Sequence, residues 1–433
     1  MYYQEAIEYL TELEVFGMKP GLERVAGVLA VLGNPERAYP SVHITGTNGK
    51  GSVSAMLASI LKQGGLKIGL FVSPHLEDYT ERIQVNGEFI GQSDFAAAIL
   101  AVKKAADILT AQGGESPTQF EVLTAAAFWH FAKVKVDYAV IEVGLGGLYD
   151  STNVITPRLS VITNVTLEHA DKCGGTLEGV AEHKAGIIKP NTPLVTGASG
   201  RPLSIILQKA AAFHAPALIY GRDFRADSRD FDPSGQNILY EFEGAQKNYR
   251  LSLLGQHQAV NAALAVTAAR ILAKGERRID ERAIADGLQK ARWPGRFEVV
   301  ACGEQRIILD GAHNPAGIIA LRQALDDYFP ASPCLFVLGI LRDKNIPAML
   351  KNLLRPNDKV IVTRPDSPRA AAPEELLPQV QNICAASSIG VPQAAMAEAL
   401  ASGEPLVVVC GSLYLVGAIR KKLIDRSTFL ALR

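Results

Sequence analysis

The chain has 433 residues, beyond the length at which one hydrophobic core stops growing, so two domains are expected. Hydrophobic residues make up 48% and charged residues 20%, the balance of a globular protein rather than a disordered chain. Lys plus Arg and Asp plus Glu both total 44, so the formal net charge is zero, without the basic surplus of a nucleic-acid binder.

The N-terminus, MYYQEAIEYLTELEVFG, spaces its acids as a helix does and lacks the basic start and apolar run of a secretory signal. No stretch offers the ~18 uninterrupted apolar residues that a membrane helix requires. Cys173, Cys302, Cys334, Cys384 and Cys410 are dispersed, with no CxxC pair. That usage suits a reducing compartment and fits neither a disulfide framework nor a zinc site. The expectation is a cytoplasmic monomer whose partners are small molecules, with no nucleic acid and no membrane.

Along the chain, short runs rich in Val and Ile alternate with stretches of helical period. VHITGT leads into SVSAMLASILKQGG and then IGLFVS; YAVIEVG, LSVITNVT, RIILDG, LFVLGI, KVIVTRP and LVVVCGS follow. Strands that are apolar throughout and separated by helices predict parallel sheets covered on both faces. NILYEFEG and KNYRLSLLG break the pattern and predict an antiparallel pair. The Pro-Gly pair in RWPGRFE follows a long helical region, His257 to Lys290, and precedes a fresh strand-helix alternation. The domains are therefore drawn as residues 1–292, a linker 293–297 and residues 298–433. The fold class is α/β: an N-terminal mononucleotide-binding, P-loop-like parallel-sheet domain and a smaller Rossmann-like C-terminal domain.

ITGTNGKGSVS, residues 44–54, lies between a predicted strand and a predicted helix. Glycines let the backbone bend around phosphate oxygens, amides and the helix N-terminus offer partial positive charge, and Lys50 adds a full one. Two residues separate Gly46 from Gly49 where the ordinary phosphate loop has four, and Gly51 follows Lys50 where Ser or Thr is usual. A plain glycine turn is the alternative. At predicted strand ends, Ser73, Glu142 and His169 would share the crevice where α/β sheets bind ligands. A hydroxyl, a carboxylate and an imidazole there could hold Mg²⁺ against nucleotide oxygens. Read from the residues alone, His169 also suits a structural hydrogen-bonding role, as a lone His after a strand more often has, Lys184 is an exposed helix lysine, Arg296 equally suits a linker salt bridge and Ser412 a helix cap.

The shortened GTNGKGS loop resembles that of the Mur ligase superfamily, and within it the branch of folylpolyglutamate synthase and the bifunctional dihydrofolate synthase. SPHLEDYTERIQVNG, IEVGLGGLYDSTN, ITNVTLEH, HKAGIIKP, LLGQHQAVNA, WPGRFE, DGAHNPAG, SPRAAAPEEL and CGSLYLVG resemble further blocks of that branch, in its order. The resemblance implies an ATP-dependent ligase that adds L-glutamate to folate or dihydropteroate through an acyl phosphate. It implies ATP contacts from Gly46, Thr47, Asn48, Gly49, Lys50, Gly51, Ser52, Asn261, Arg296 and Asp310. By the same resemblance Ser73, Glu142 and His169 are metal ligands, and Ser412 lies near the incoming glutamate. Lys50, Lys184 and His313 are the implied catalytic residues, with Lys184 carried as a carbamate that holds a second Mg²⁺. The sequence departs from the family's usual Glu at His183, Asp at Glu168 and Arg at Leu148. Another Mur-type ligase of cell-wall synthesis, an NTPase of another class and a nucleotide-gated binding protein are the competing readings. ATP turnover that needs an acceptor and an amino acid together separates a ligase from the last two.

Overall fold

A computed structural model describes residues 1–14, 17, 19–168, 170–330 and 332–430. The chain forms two compact units: Met1–Asp227 with Leu239–Arg250 and Val260–Ala291, and Ser228–Ile238 with Leu251–Ala259 and Arg292–Arg433.

The first unit is built on eight strands: β1 (Ser41–Thr45), β2 (Ile68–Phe71), β3 (Ile83–Val85), β4 (Glu88–Phe89), β5 (Tyr138–Glu142), β6 (Leu159–Ile162), β7 (Leu194–Thr196) and β8 (Ala217–Ile219), in the order β4-β3-β2-β5-β1-β6-β7-β8. From β2 to β8 every pairing is parallel, while β2 with β3 and β3 with β4 run antiparallel. β1 is buried at all five positions, as a central strand covered on both faces must be. On one face, Phe71, Ala139 and Ile141 pack with Leu10, Phe95, Phe128 and Phe131 of the helices Tyr3–Leu13, Gln92–Ala111 and Gln119–Val134. On the other, the helix Lys50–Gln63 is tied to Glu281–Lys290 by Ser59 Oγ, which donates to the Gly287 carbonyl at 2.7 Å.

IGLFVS does not lead into a helix. After β2 the chain loops back into β3, which turns at Asn86-Gly87, both at positive φ (54° and 80°), into β4. Asn-Gly is the strongest short hairpin signal, since only such residues accept two successive left-handed positions cheaply. The expected antiparallel pair is present: β9 (Phe224–Asp232), β10 (Gly235–Phe242) and β11 (Ala245–Leu251) form a sheet in the order β11-β10-β9. The long helical region is two helices, Gln256–Ala273 and Glu281–Lys290, the second capped by Asp280 accepting from Ala283 N at 2.8 Å.

The second unit holds β12 (Glu298–Cys302), β13 (Gln305–Leu309), β14 (Leu335–Leu338), β15 (Lys359–Val362), β16 (Ala385–Ser388) and β17 (Leu406–Cys410) in the order β12-β13-β17-β14-β15-β16. All pairs but β12 with β13 are parallel. Ile308, Phe336, Val362 and Val408 face Ile318, Leu321, Leu350 and Leu376 in one core. Each such buried side chain stabilises by roughly 1.5–3 kcal/mol over its exposed state.

In the first sheet the connection after β1 runs to one side, to β2, and that after β6 runs to the other, to β7. The crevice outside the carboxyl ends of β1 and β6 is therefore a topological switch point, where open α/β sheets bind ligands.

Candidate functional site

The first feature of that crevice is the glycine loop. A β-carbon at Gly46 would lie 1.8 Å from Thr163 Oγ1, so no larger residue fits. Gly49, at φ +84°, is the N-cap of the helix Lys50–Gln63, and a β-carbon on it would lie 2.4 Å from Asn261 Oδ1. No side chain caps this helix, so its N-terminus keeps its partial positive charge unanswered. Lys50 Nζ donates to the carbonyls of Gly46 (3.1 Å) and Thr47 (3.3 Å), holding its charge over the loop.

The loop does not stand alone. Thr47 N donates to the Asn164 carbonyl at 3.0 Å, and Asn48 N donates to Asn164 Oδ1 at 3.0 Å. Asn48 O accepts from Thr163 Oγ1 (2.6 Å) and Asn164 Nδ2 (2.9 Å). The Thr47 and Asn48 amides are thus already engaged by the exit of β6. Sequence reasoning singled out the block ITNVTLEH but not Thr163 or Asn164. A Thr-Asn pair at a strand exit was the available signal.

Lys184, on the helix Leu177–Ala185, is not an exposed lysine: it is 5% exposed, with no hydrogen-bond or ion-pair partner among the described residues. Burial, followed by the nearby charge of Lys50, pulls its pKa down to about 7. The loop from Val143 to Asp150 walls this lysine. Leu148 N donates to the His183 carbonyl at 2.8 Å, and Thr45 Oγ1 donates to the Gly146 carbonyl at 2.7 Å. Fully buried Asp150 accepts from Leu145 N (2.8 Å), Thr152 N (3.1 Å) and Thr152 Oγ1 (2.5 Å), and burial raises its carboxyl pKa. Buried His43 reaches Thr152 Oγ1 through Nε2 at 2.8 Å, and burial lowers its pKa to about 3.

Glu142 ends β5, 4% exposed, and Ser73 follows neighbouring β2; Ser73 N lies 3.4 Å from Glu142 Oε2. His169 falls outside the described residues. No group of three His, Cys, Asp or Glu side chains that could hold a metal occurs among the described residues. A buried carboxylate beside a serine at two adjacent strand ends is nonetheless a hard-oxygen donor set, the kind Mg²⁺ takes.

In the second unit, Asp310 follows β13 and is buried; it accepts from Phe297 N and Ala312 N, both at 2.8 Å. Burial raises its pKa and the neighbouring Arg296 opposes the rise. Arg296 Nη1 donates to its neighbour's carbonyl at Gly295, 3.1 Å away. His313 Nδ1 meets the Gly311 carbonyl at 2.8 Å. Asn314 caps the helix Pro315–Tyr328, accepting from Gly317 N at 2.7 Å. Ser412 is 1% exposed, and its Oγ accepts from Tyr414 N at 3.2 Å at the head of the last helix.

Residues 44–269 match the Mur ligase middle domain, and residues 297–422 match the dihydrofolate synthetase C-terminal domain. The chain is 36% identical over 427 residues to the dihydrofolate synthase/folylpolyglutamate synthase of Bacillus subtilis, covering 97% of this chain and 99% of that one. The chain belongs to the dihydrofolate synthase/folylpolyglutamate synthase family of Mur ligases. Solved structures agree with the fold. Mycobacterium tuberculosis folylpolyglutamate synthase complexed with ADP and AMPPCP superposes with a TM-score of 0.87 at 32% identity, over 96% of this chain and 99% of that one. Escherichia coli FolC in complex with DHPP and ADP gives 0.86 at 31%, over 98% of each chain.

Members of this family are ATP-dependent ligases, and this chain is one. The C-terminal match is to the folate branch and not to the cell-wall ligases. Among the described residues no helix is long and apolar enough to cross a membrane. Leu148 and His183 are neighbours: Leu148 N donates to the His183 carbonyl, and Tyr149 meets the His183 ring edge-on at 5.6 Å.

Proposed function

We propose that the chain joins L-glutamate to the carboxylate of a folate-type acceptor, dihydropteroate or tetrahydrofolate, through an acyl phosphate. The observation that carries the chemistry is the helix N-terminus with Lys50 at its head and no side chain at its cap, together with a buried lysine that has no hydrogen-bond or ion-pair partner among the described residues. The acceptor carboxylate attacks the γ-phosphorus of ATP, and the bond to the β-γ bridging oxygen breaks, releasing ADP. The glutamate amine then attacks the acyl carbon, and the tetrahedral intermediate collapses to an amide as phosphate leaves with the electron pair of the C–O bond. Lys50 and the amides at the helix head neutralise charge on the transferring phosphoryl group. Asn261, against Gly49, lines the same loop. Arg296, Asp310 and His313 are assigned to the nucleotide from the second unit's own strand ends, and Ser412 to glutamate, on the family resemblance.

Ser73, Glu142 and His169 would hold Mg²⁺, which when bound neutralises phosphate oxygens. Lys184 fits the carbamate role: its amine is buried, without a hydrogen-bond or ion-pair partner among the described residues, and pulled down to about 7, so a neutral fraction exists at physiological pH to take up CO₂ with loss of a proton. The product is an anionic oxygen ligand where a cation stood.

Purified protein given ATP, Mg²⁺ and L-glutamate with each acceptor in turn tests this reading. Sustained ADP formation over many turnovers should require acceptor and glutamate together, and chromatography should show the acceptor lengthened by glutamate. ATP turnover independent of the acceptor would overturn it.

A further inference from the structure

The stretch from Gly46 to Gly49 has two residues fewer between its glycines than an ordinary phosphate loop, and two of its own amides, those of Thr47 and Asn48, donate outside it. What closes it is the exit of β6. Thr163 Oγ1 and Asn164 Nδ2 both donate to Asn48 O (2.6 and 2.9 Å), while Asn164 Oδ1 accepts from Asn48 N at 3.0 Å. The Asn164 carboxamide therefore holds the Asn48 peptide as a neighbouring strand would. The Asn164 carbonyl accepts from Thr47 N at 3.0 Å. Thr166 N donates to Thr47 Oγ1 at 3.0 Å, and that hydroxyl donates to the Thr166 carbonyl at 3.2 Å. Thr163 is 1% exposed, so water cannot readily replace its hydroxyl.

We propose that Thr163 and Asn164 are positioning residues for the nucleotide. They make up for the missing residues of the loop by fixing the Asn48 peptide, and so aim the head of the helix Lys50–Gln63 and Lys50 at the phosphates. They act through the backbone of Thr47 and Asn48 and touch no substrate themselves. The inference rests on the reading of residues 46–52 as a phosphate loop. The same six hydrogen bonds make the phosphate loop one piece with the segment that leads to Glu168, so the loop's shape is set by a strand more than a hundred residues away.

The test compares Thr163→Val, which keeps the shape and removes the donor, with Thr163→Ser, which keeps the hydroxyl. ADP binding by calorimetry and separate KM values for ATP and acceptor are the readouts, with melting temperature as the control for folding. Thr163→Val should weaken ADP binding and raise KM for ATP about tenfold, Thr163→Ser by less than about threefold, with KM for the acceptor unmoved. Asn164→Asp should weaken ADP binding more than Asn164→Ala, because it turns an oxygen toward Asn48 O and adds negative charge beside the phosphates. If Asn164 variants fail to fold, the Thr163 pair decides. Parental ADP affinity in Thr163→Val, with binding lost in Lys50→Ala, would overturn the inference and leave the phosphate loop standing. Parental affinity in both would remove the phosphate loop and the inference with it. Equal increases in every KM together with a lowered melting temperature would reduce Thr163 to a stabilising role and overturn the inference.

Discussion

After β1 the chain turns through glycines into a helix whose cap, Gly49, has no side chain and whose first residue is Lys50. After β13 it turns into a helix capped by Asn314 and opened by Pro315, so a side-chain oxygen fills one amide and proline deletes another. Both turns sit at the carboxyl end of a strand in a mostly parallel sheet, and both are assigned to the nucleotide. The first leaves its helix N-terminus open to an anion, and the second has already answered it. Strand-to-helix architecture alone therefore does not make an anion site; the cap decides. In the second unit the helix head is already filled, and half-buried Arg296 is a cation close enough to work against the burial-driven rise of the Asp310 pKa.

The contrast can be broken most directly at Lys50. Lys50→Ala should lower kcat/KM by about a thousandfold, several kcal/mol of transition-state stabilisation, with an unchanged circular dichroism spectrum. Near-parental turnover at saturating ATP would erase the distinction between the two turns.

Lys184 extends the comparison to a lysine that works only if neutral. Lys184→Ala and Lys184→Arg should both lose activity by about a hundredfold, the second because an arginine keeps the charge but cannot form a carbamate. Acetate should restore part of the activity to the Ala variant and none to the Arg variant. An active Lys184→Arg enzyme would return this residue to a structural role.

Each unit also holds a histidine in its neutral form: buried His43 in the first, with its pKa lowered to about 3, and half-buried His257 in the second, lowered to about 4. Burial is the main cause in both, helped by Lys189 and Arg296 respectively. Because the folded values lie below the unfolded one, the unfolded chain takes up protons first as pH falls. Stability is complete well above pH 6.5 and is lost progressively as pH falls, down to about pH 4 for His257 and about pH 3 for His43, each histidine costing about 2 kcal/mol by pH 5. Urea melts at pH 7.5 and 5.0 should show the loss, and His257→Gln should flatten it for the second unit. Identical midpoints at the two pH values would contradict the burial.

The smallest effect sharpens the comparison from the other side. Asn314→Ala should cost about 1 kcal/mol of stability by removing the cap, while the KM for ATP stays within about twofold of parent. A large rise in that KM would mean that the second helix head serves the nucleotide after all.

The apolar strands were legible because their signal is local. Continuous runs such as YAVIEV and LVVVC admit few other readings, and glycines between a strand and a helix name a turn with exposed amides. The β3–β4 hairpin was also written locally, in Asn86-Gly87, but its strands are too short to stand out from the helix-strand rhythm around them. Other features had no local signature. Lys184 looks like any helix lysine until the Val143–Asp150 loop covers it, and its lowered pKa follows from that cover and from Lys50, distant in sequence. Thr163 and Asn164 acquire their role only when parallel pairing sets β6 beside β1, with Ile162 opposite Thr45.

The amino-acid sequence by itself therefore determined the α/β class, the place of the glycine loop, and the strand ends where chemistry-bearing residues fall. Those depend on side-chain periodicity and on what glycine and proline allow the backbone within a few residues. Only the tertiary structure decided which amides of the loop are already engaged, and which lysine is buried without a partner among the described residues. Both are matters of hydrogen-bond accounting and desolvation among residues that sheet order alone makes neighbours.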